Sequence, residues 1–396
     1  MGWNPYFANE GYGNEATFEA VASSLISTGL QGAGYRIFWL DYGWASGARD
    51  SSGNLTVSST QWPDGMKGFT DWLHAHGFQA GIYTDAGSGC AGVDSYGHYA
   101  GTANPYQQDA NQFAAWGFDA VKVDFTCAGK TWLDQPPYDP RTLYGEFSSA
   151  LANNSSNRPM ILNVCNWRTP GQINGTDPSY ADSSWDNYSW APAISQSWRT
   201  DTDLGSWQGV VFAHVLRNLD QNSTPYPDIQ NAAGPGHWND PDYLTPGSPP
   251  NFTKGSLTDA QAQSEFSMWA MVAAPLILGT DPRSLGSSTI TMLENSSVIA
   301  IDQDPAGKQG YPLSAPTSTG QQVWVKPLAN GDRAVALFNR SSTALQITTT
   351  ASAVGMPKAS HYTLVNLWTS QTTTTKNKIS ANVPSDAVVL YRITAG

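Results

Sequence analysis

The 396-residue chain is too long for one modest hydrophobic core, and its 20 Lys and Arg against 32 Asp and Glu give a formal net charge of −12. No basic cluster interrupts that acidic balance, so neither nucleic acid nor an anionic membrane is expected as a partner, and no apolar run reaches the roughly 18 residues of a membrane-spanning helix. With 13% charged and 12% aromatic residues, 16 Trp and 37 Gly, the composition suits flat apolar faces beside hydrogen-bonding groups, as carbohydrate sites require, and equally suits a Ser/Thr/Gly-rich secreted protein.

The chain opens on the strand-like "MGWNPYF", with no signal-peptide pattern. "ATFEAVASSLISTGL" has helical spacing of its apolar residues and leads through "QGAG" into the apolar run "YRIFWLDYGW". The alternation continues with the helix-like "GMKGFTDWLHAHG" and strand-like "QAGIYTDAG", then "DANQFAAWG" and "FDAVKVDF", then "RTLYGEFSSALAN" and "RPMILNVCNW". "ISQSWRT", the helix-like "GVVFAHVLRNLD", "GHWNDPDYL" and "AQSEFSMWAMVAAPLILGTD" follow. About eight strand–helix units predict a (β/α)8 TIM barrel over residues 1–305. An open doubly wound sheet would want a Gly-rich phosphate loop after the first strand, and no G-x-G-x-x-G is found there.

From residue 306 the texture changes. "QQVWVKPL", "RAVALFNR", "ALQITTT", "YTLVNLW" and "AVVLYRI" alternate with period two between turn residues, which predicts a C-terminal antiparallel β-sandwich over 306–396.

Catalytic groups of a parallel barrel sit at the C-terminal ends of its strands. Six candidate ends here carry polar groups: Asp41, Asp85, Asp124, Asn166, Asp203 and Asp242. A carboxylate beside a core demands a partner or a function, because burying it unpaired costs several kcal/mol or shifts its pKa. In "DAVKVDF", Lys122 and Asp124 share one face of a strand and would both point into the mouth of the barrel. They could form a buried ion pair there. Alternatively, the ammonium keeps Asp124 ionised as a nucleophile and donates to a bound hydroxyl. Glycoside cleavage needs a second carboxylate, and Asp203 in "SWRTDTDL" is the better candidate, with Asp201 two residues away on the same face.

The six histidines show neither H-x-x-x-H nor H-E-x-x-H spacing, so neither a metal site nor another cofactor is expected. The absence of a G-x-S-x-G elbow weighs against a serine hydrolase. Trp39, Trp44, Trp116 and Trp207 read as core. Trp3 and Trp167, beside predicted strand ends, are the candidate sugar platforms.

These motifs resemble glycoside hydrolase family 27, the α-galactosidase (melibiase) family, over essentially the whole chain. "MGWN" is similar to the family's opening strand, "GIYTDAG" to its third-strand motif, "KVDF" to its nucleophile strand and "WRTDTDL" to its acid/base strand. "C-x-W" at Cys165–Trp167 resembles the fifth strand end. "GHWNDPDYL" and "AIDQDPAGKQGY" are the most diagnostic stretches. The resemblance implies a barrel followed by a sandwich, and a retaining exo-α-glycosidase with Asp124 as nucleophile and Asp203 as general acid/base. It implies sugar contacts from Trp3, Asp41, Tyr83, Lys122, Arg199 and Asp242, and a disulfide between Cys90 and Cys127 that would leave Cys165 a lone thiol. A secreted or extracellular location is expected, with an oligo- or polysaccharide as the substrate partner.

Two positions depart from the family pattern. Adjacent aspartates usually grip the 4- and 6-hydroxyls at the second strand end, whereas this chain has Asp41 followed by Tyr42. Glu or Gln usually fills the middle of C-x-W, where this chain has Asn166. A site built to bind a hydroxyl discriminates strongly by it, although a phenol still accepts one hydrogen bond. The expected activity is that of an α-galactosidase. The alternative is an isomaltodextranase-like release of isomaltose from dextran or another α-glucan. A third reading, a catalytically silent sugar-binding protein, sits poorly with the presence of both Asp124 and Asp203.

Overall fold

The computed structural model describes residues 1–9, 13–46, 49–86, 105–124, 140–166, 186–205, 209–224, 227–247 and 255–396. Eight parallel strands come first: β1 (Gly2–Trp3), β2 (Ile37–Leu40), β3 (Gln79–Asp85), β4 (Ala120–Asp124), β5 (Ile161–Cys165), β6 (Ser197–Arg199), β7 (Trp238–Asp240) and β8 (Ile277–Leu278). Their order is β7-β6-β5-β4-β3-β2-β1-β8. Leu244, just past β7, pairs in parallel with Leu278 of β8. Leu244 N donates to Ile277 O and Gly279 N to Leu244 O, at 2.7 and 2.8 Å, and this joins the two ends of the sheet. The predicted TIM barrel is thereby formed.

Strands of such a sheet are buried on both faces, which is why "IFWL" and "AVKV" read as nearly continuous apolar runs. The opening segment departs from its strand-like reading. Only Gly2 and Trp3 pair as strand, and Tyr6–Asn9 turns into a short helix. The helix Glu15–Ser27 starts where Asn14 caps it by accepting from Thr17 N. One close approach inside the barrel requires glycine: a Cβ on Gly81 of β3 would lie 2.3 Å from the Trp39 indole of β2.

"AQSEFSMWAMVAAPLILGTD" divides into a helix and β8. The helix Asp259–Met271 opens on a capping box between Thr258 and Gln261 and, from Ser264 on, is buried on all sides. That stretch has no solvent face because the barrel covers one side and a second lobe the other.

That lobe holds β9 (Tyr311–Pro312), β10 (Gln321–Pro327), β11 (Arg333–Asn339), β12 (Leu345–Thr350), β13 (Tyr362–Asn366), β14 (Thr372–Thr375), β15 (Lys378–Val383) and β16 (Val388–Ala395). A six-stranded sheet, β14-β13-β16-β11-β10-β9, faces the antiparallel pair β12-β15. The period-two pattern sorts β11 between two cores. Val335 and Leu337 pack with Ile347, Ile379 and Val383 inside the sandwich, while Ala334, Ala336 and Phe338 join the core of the barrel. Lys326 Nζ donates to Ala270 O at 2.8 Å, and Arg340 clasps Asp220 through two nitrogens at 2.9 and 2.6 Å. The sandwich thus packs against the barrel's outer helices.

Candidate active site

Register places the polar side chains in two tiers. Tyr83, Lys122 and Asn163 lie side by side on β3, β4 and β5, and two residues on, Asp85, Asp124 and Cys165 do the same. Alternation puts both tiers on one face, the inner one, with the second tier at the C-terminal ends.

Lys122 and Asp124 do face the same way, yet Lys122 has another partner. Its ammonium donates to Asp41 Oδ2 at 2.8 Å and to Tyr243 Oη at 2.7 Å. It also lies 5.5, 5.5 and 5.2 Å from the ring centres of Tyr6, Tyr83 and Tyr243. Burial opposes its charge, but Asp41, together with Tyr243, Cys165 and Asp124, outweighs it, so the ammonium is held well above its ordinary pKa. Asp41 is also saturated from below, accepting from Asn4 Nδ2 at 2.7 Å and from Tyr42 N at 2.8 Å.

Asp124 accepts instead from Tyr83 Oη, at 2.7 Å. Burial, reinforced by Asp124, pushes that phenol well above its usual pKa, so it remains a donor. Tyr42 is half-buried at the same rim, edge-on to Tyr83 with centroids 6.3 Å apart. Asn166 is half-buried one residue beyond β5.

On the opposite wall, Arg199 at the end of β6 is 2% exposed and bridges two carboxylates, Asp203 Oδ1 and Asp242 Oδ2, both at 3.1 Å. Asp201 and Asp203 diverge. Asp201 is fully buried and pairs with Arg217 at 3.2 Å, while Asp203 keeps 19% of its side chain exposed beside Arg199. Asp242 has a left-handed backbone, φ 94°, held by neighbours: Trp269 Nε1 donates to its carbonyl at 2.7 Å, and Leu204 N to its Oδ2 at 2.7 Å. Among the described residues its Oδ1 is buried without a hydrogen-bond partner. Burial pushes this carboxyl up, Arg199 pulls it back, and Asp203 adds to the rise. Beneath it, Thr245 N and Oγ1 bind the two oxygens of buried Glu265 at 2.8 and 2.6 Å.

Cys165 is buried and free at the end of β5, level with Asp124 of β4. Burial pushes its thiol well above the usual range. Asp124 and Asp203 both add to the rise, and Lys122 and Arg199 oppose it. Cys90, Cys127, Trp167 and Trp207 lie outside the described residues. Among the described residues no group of three His, Cys, Asp or Glu side chains could hold a metal ion.

One sequence expectation is corrected. Trp3 is 1% exposed; its ring packs on Phe18 and Phe38, and its Nε1 donates to Thr280 O at 2.9 Å. It belongs to the layer between sheet and helices and offers no platform to a sugar. The aromatic ring from this segment that reaches the site is Tyr6, over Lys122. Sequence reasoning also passed over Tyr243 and Asn4. Tyr243 directly follows Asp242, and that adjacency was the available signal.

The α-galactosidase A family profile matches residues 9–304, and the profile of the α-galactosidase C-terminal β-sandwich domain matches 318–393. An α-galactosidase of Oryza sativa is 33% identical over 398 residues, covering 100% of this chain and 84% of the relative. α-Galactosidase 2 of Arabidopsis thaliana is 32% identical over 396 residues, with 100% and 89% covered. The crystal structure of α-galactosidase I from Mortierella vinacea superposes with a TM-score of 0.80 at 24% identity, over 100% of this chain and 96% of that one; at that identity the likeness concerns the fold.

Proposed function

Because the chain belongs to the α-galactosidase (melibiase) family of glycoside hydrolases, we propose that it removes terminal α-linked galactose by double displacement. In this reading Asp124 attacks the anomeric carbon while Asp203 protonates the leaving oxygen. Asp203 then deprotonates the water that resolves the glycosyl-enzyme. The observation that supports the reading is that the two carboxylates, at the end of β4 and just past the end of β6, have different settings. Asp124 accepts a hydrogen bond from a phenol, whereas Asp203 is part-exposed beside a guanidinium. A retaining mechanism requires the two carboxyl groups to stand about 5–5.5 Å apart. Asp41, Tyr83, Lys122, Arg199 and Asp242 would hold the sugar's hydroxyls, with Tyr6 as the apolar face.

A specific feature favours a second reading. Tyr42, at the rim beside Tyr83, stands where the family pattern has the second of two aspartates, so the grip on an axial 4-hydroxyl is altered. That substitution suits a glucan, with isomaltose released from dextran.

One comparison separates the two: an aryl α-galactoside and dextran offered to the enzyme, with released sugars identified by chromatography. The anomer formed first would be read by NMR. Galactose released first as the α-anomer supports the main reading, and isomaltose supports the second. A first-formed β-anomer, or full turnover by Asp124→Asn, would overturn the mechanism.

A further inference from the structure

We propose that Asn218 is a positioning residue for the acid/base carboxylate, locking the loop that carries Asp203 to the loop that carries Asp242. The proposal rests on the reading of Asp203 given above. Asn218 lies on the helix Phe212–Gln221, which follows β6, and is fully buried. Its Nδ2 donates to Thr202 O and to Pro241 O, both at 2.9 Å. These are the carbonyls immediately before Asp203 and Asp242. Its Oδ1 accepts from Arg217 Nε at 3.0 Å and Nη2 at 2.9 Å, which fixes which end of the amide faces which partner.

A planar amide with two diverging N–H bonds sets the spacing of the carbonyls it binds. The same helix secures the rest of the Asp203 loop. Asn222 accepts from Thr200 Oγ1 at 2.9 Å, Arg217 Nε reaches Asp201 Oδ2 at 3.2 Å, and Arg217 Nη2 reaches Asp203 O at 3.1 Å. Two bridges therefore run in parallel: Arg199 joins the carboxylates of Asp203 and Asp242, and Asn218 joins their backbones. Asp203 needs the second bridge because it lies four residues beyond Arg199, outside any strand. An acid out of line by about 1 Å loses on the order of 100-fold in rate.

A leaving-group series tests this, using aryl and alkyl α-galactosides, or the α-isomaltosides if dextran proves to be the substrate. Asn218→Ala is expected to keep kcat/KM within about 3-fold of the parent for a dinitrophenyl leaving group, which needs no proton. For an alkyl or sugar leaving group it is expected to lose about 100-fold. Arg217→Gln, at a more exposed position, should show the same steepening in smaller measure and serves if Asn218→Ala does not fold. Equal loss across the series in both variants would mean a merely structural role and would overturn the proposal, as would parental kinetics throughout. Asp203→Ala in the same series separates the layers. If it fails to steepen the dependence, the acid/base reading falls; if it steepens and Asn218→Ala does not, only the positioning role falls.

Discussion

Tyr83 and Asp124 meet across neighbouring strands, the phenol donating to Asp124 Oδ2 at 2.7 Å. A hydrogen bond to the ionised form of a carboxyl favours that form. Tyr83→Phe removes the donor, so the acidic limb of the kcat/KM profile should move to higher pH, with kcat down about 10-fold. A pH–rate profile of the variant checks both; an unmoved limb would detach Tyr83 from Asp124's ionisation.

Arg199 neutralises two carboxylates at once, and one of them, Asp242, is 0% exposed. Burial already pushes the Asp242 carboxyl up to about 7, and Arg199→Met removes the cation that holds it down, leaving it buried either as an unpaired charge or protonated. The expected cost is about 3–5 kcal/mol of stability, because removing one partner of a buried pair strands the other. Urea unfolding at pH 7 measures this. A loss below about 1 kcal/mol would show that Asp242 is carried neutral.

The barrel and the sandwich were legible because each writes its own period into the chain. Parallel strands came through as apolar runs between helical stretches, and β10 to β13 and β16 as alternation; β14 and β15 were not read. The carboxylates were legible because a charge at the end of an apolar run stands out: Asp41, Asp124, Asp203 and Asp242 lie at or just past the ends of β2, β4, β6 and β7. Trp3 was misplaced because alternation cannot be anchored on a strand of two residues, and its side chain faces the helices. Tyr6 lies in the helical turn beyond that strand, where period two no longer applies. The choice of Asp41 as partner for Lys122 was illegible for another reason. The two are 81 residues apart, and their meeting depends on β3 lying between their strands.

If Tyr42 redirects the site from galactosides, restoring a carboxylate should reverse the effect. Tyr42→Asp is expected to raise the ratio of kcat/KM for an aryl α-galactoside over the matching α-glucoside by at least about 10-fold, since a lost or gained hydroxyl contact is worth at least that much. An unchanged ratio would place the discrimination elsewhere.

Glu265 predicts how stability follows pH. Burial pushes its carboxyl up to about 8 from an ordinary 4.5, against the opposing hydrogen bonds of Thr245. The folded chain therefore keeps a proton that the unfolded chain releases, so stability falls as pH rises through that window, by up to about 1.4 kcal/mol per unit. Glu265→Gln retains an acceptor for Thr245 without the titration. Its melting temperature between pH 5 and 8 should decline less than the parent's; an identical decline would assign the slope to other groups.

β11 has a consequence for modularity. Its even-numbered residues from Ala334 to Phe338 complete the barrel's core and its odd-numbered ones the sandwich's. The Phe338 ring meets Phe212 edge-on at 6.4 Å, on the very helix that carries Asn218. The C-terminal lobe is consequently no portable appendage. Transplanted onto a foreign barrel it would expose Trp324 and Phe338 to water, and cut away it would unroof the helix behind the loop that carries Asp203. Exchange of such lobes between related enzymes requires Phe212 and the helix Asp259–Met271 to travel with them.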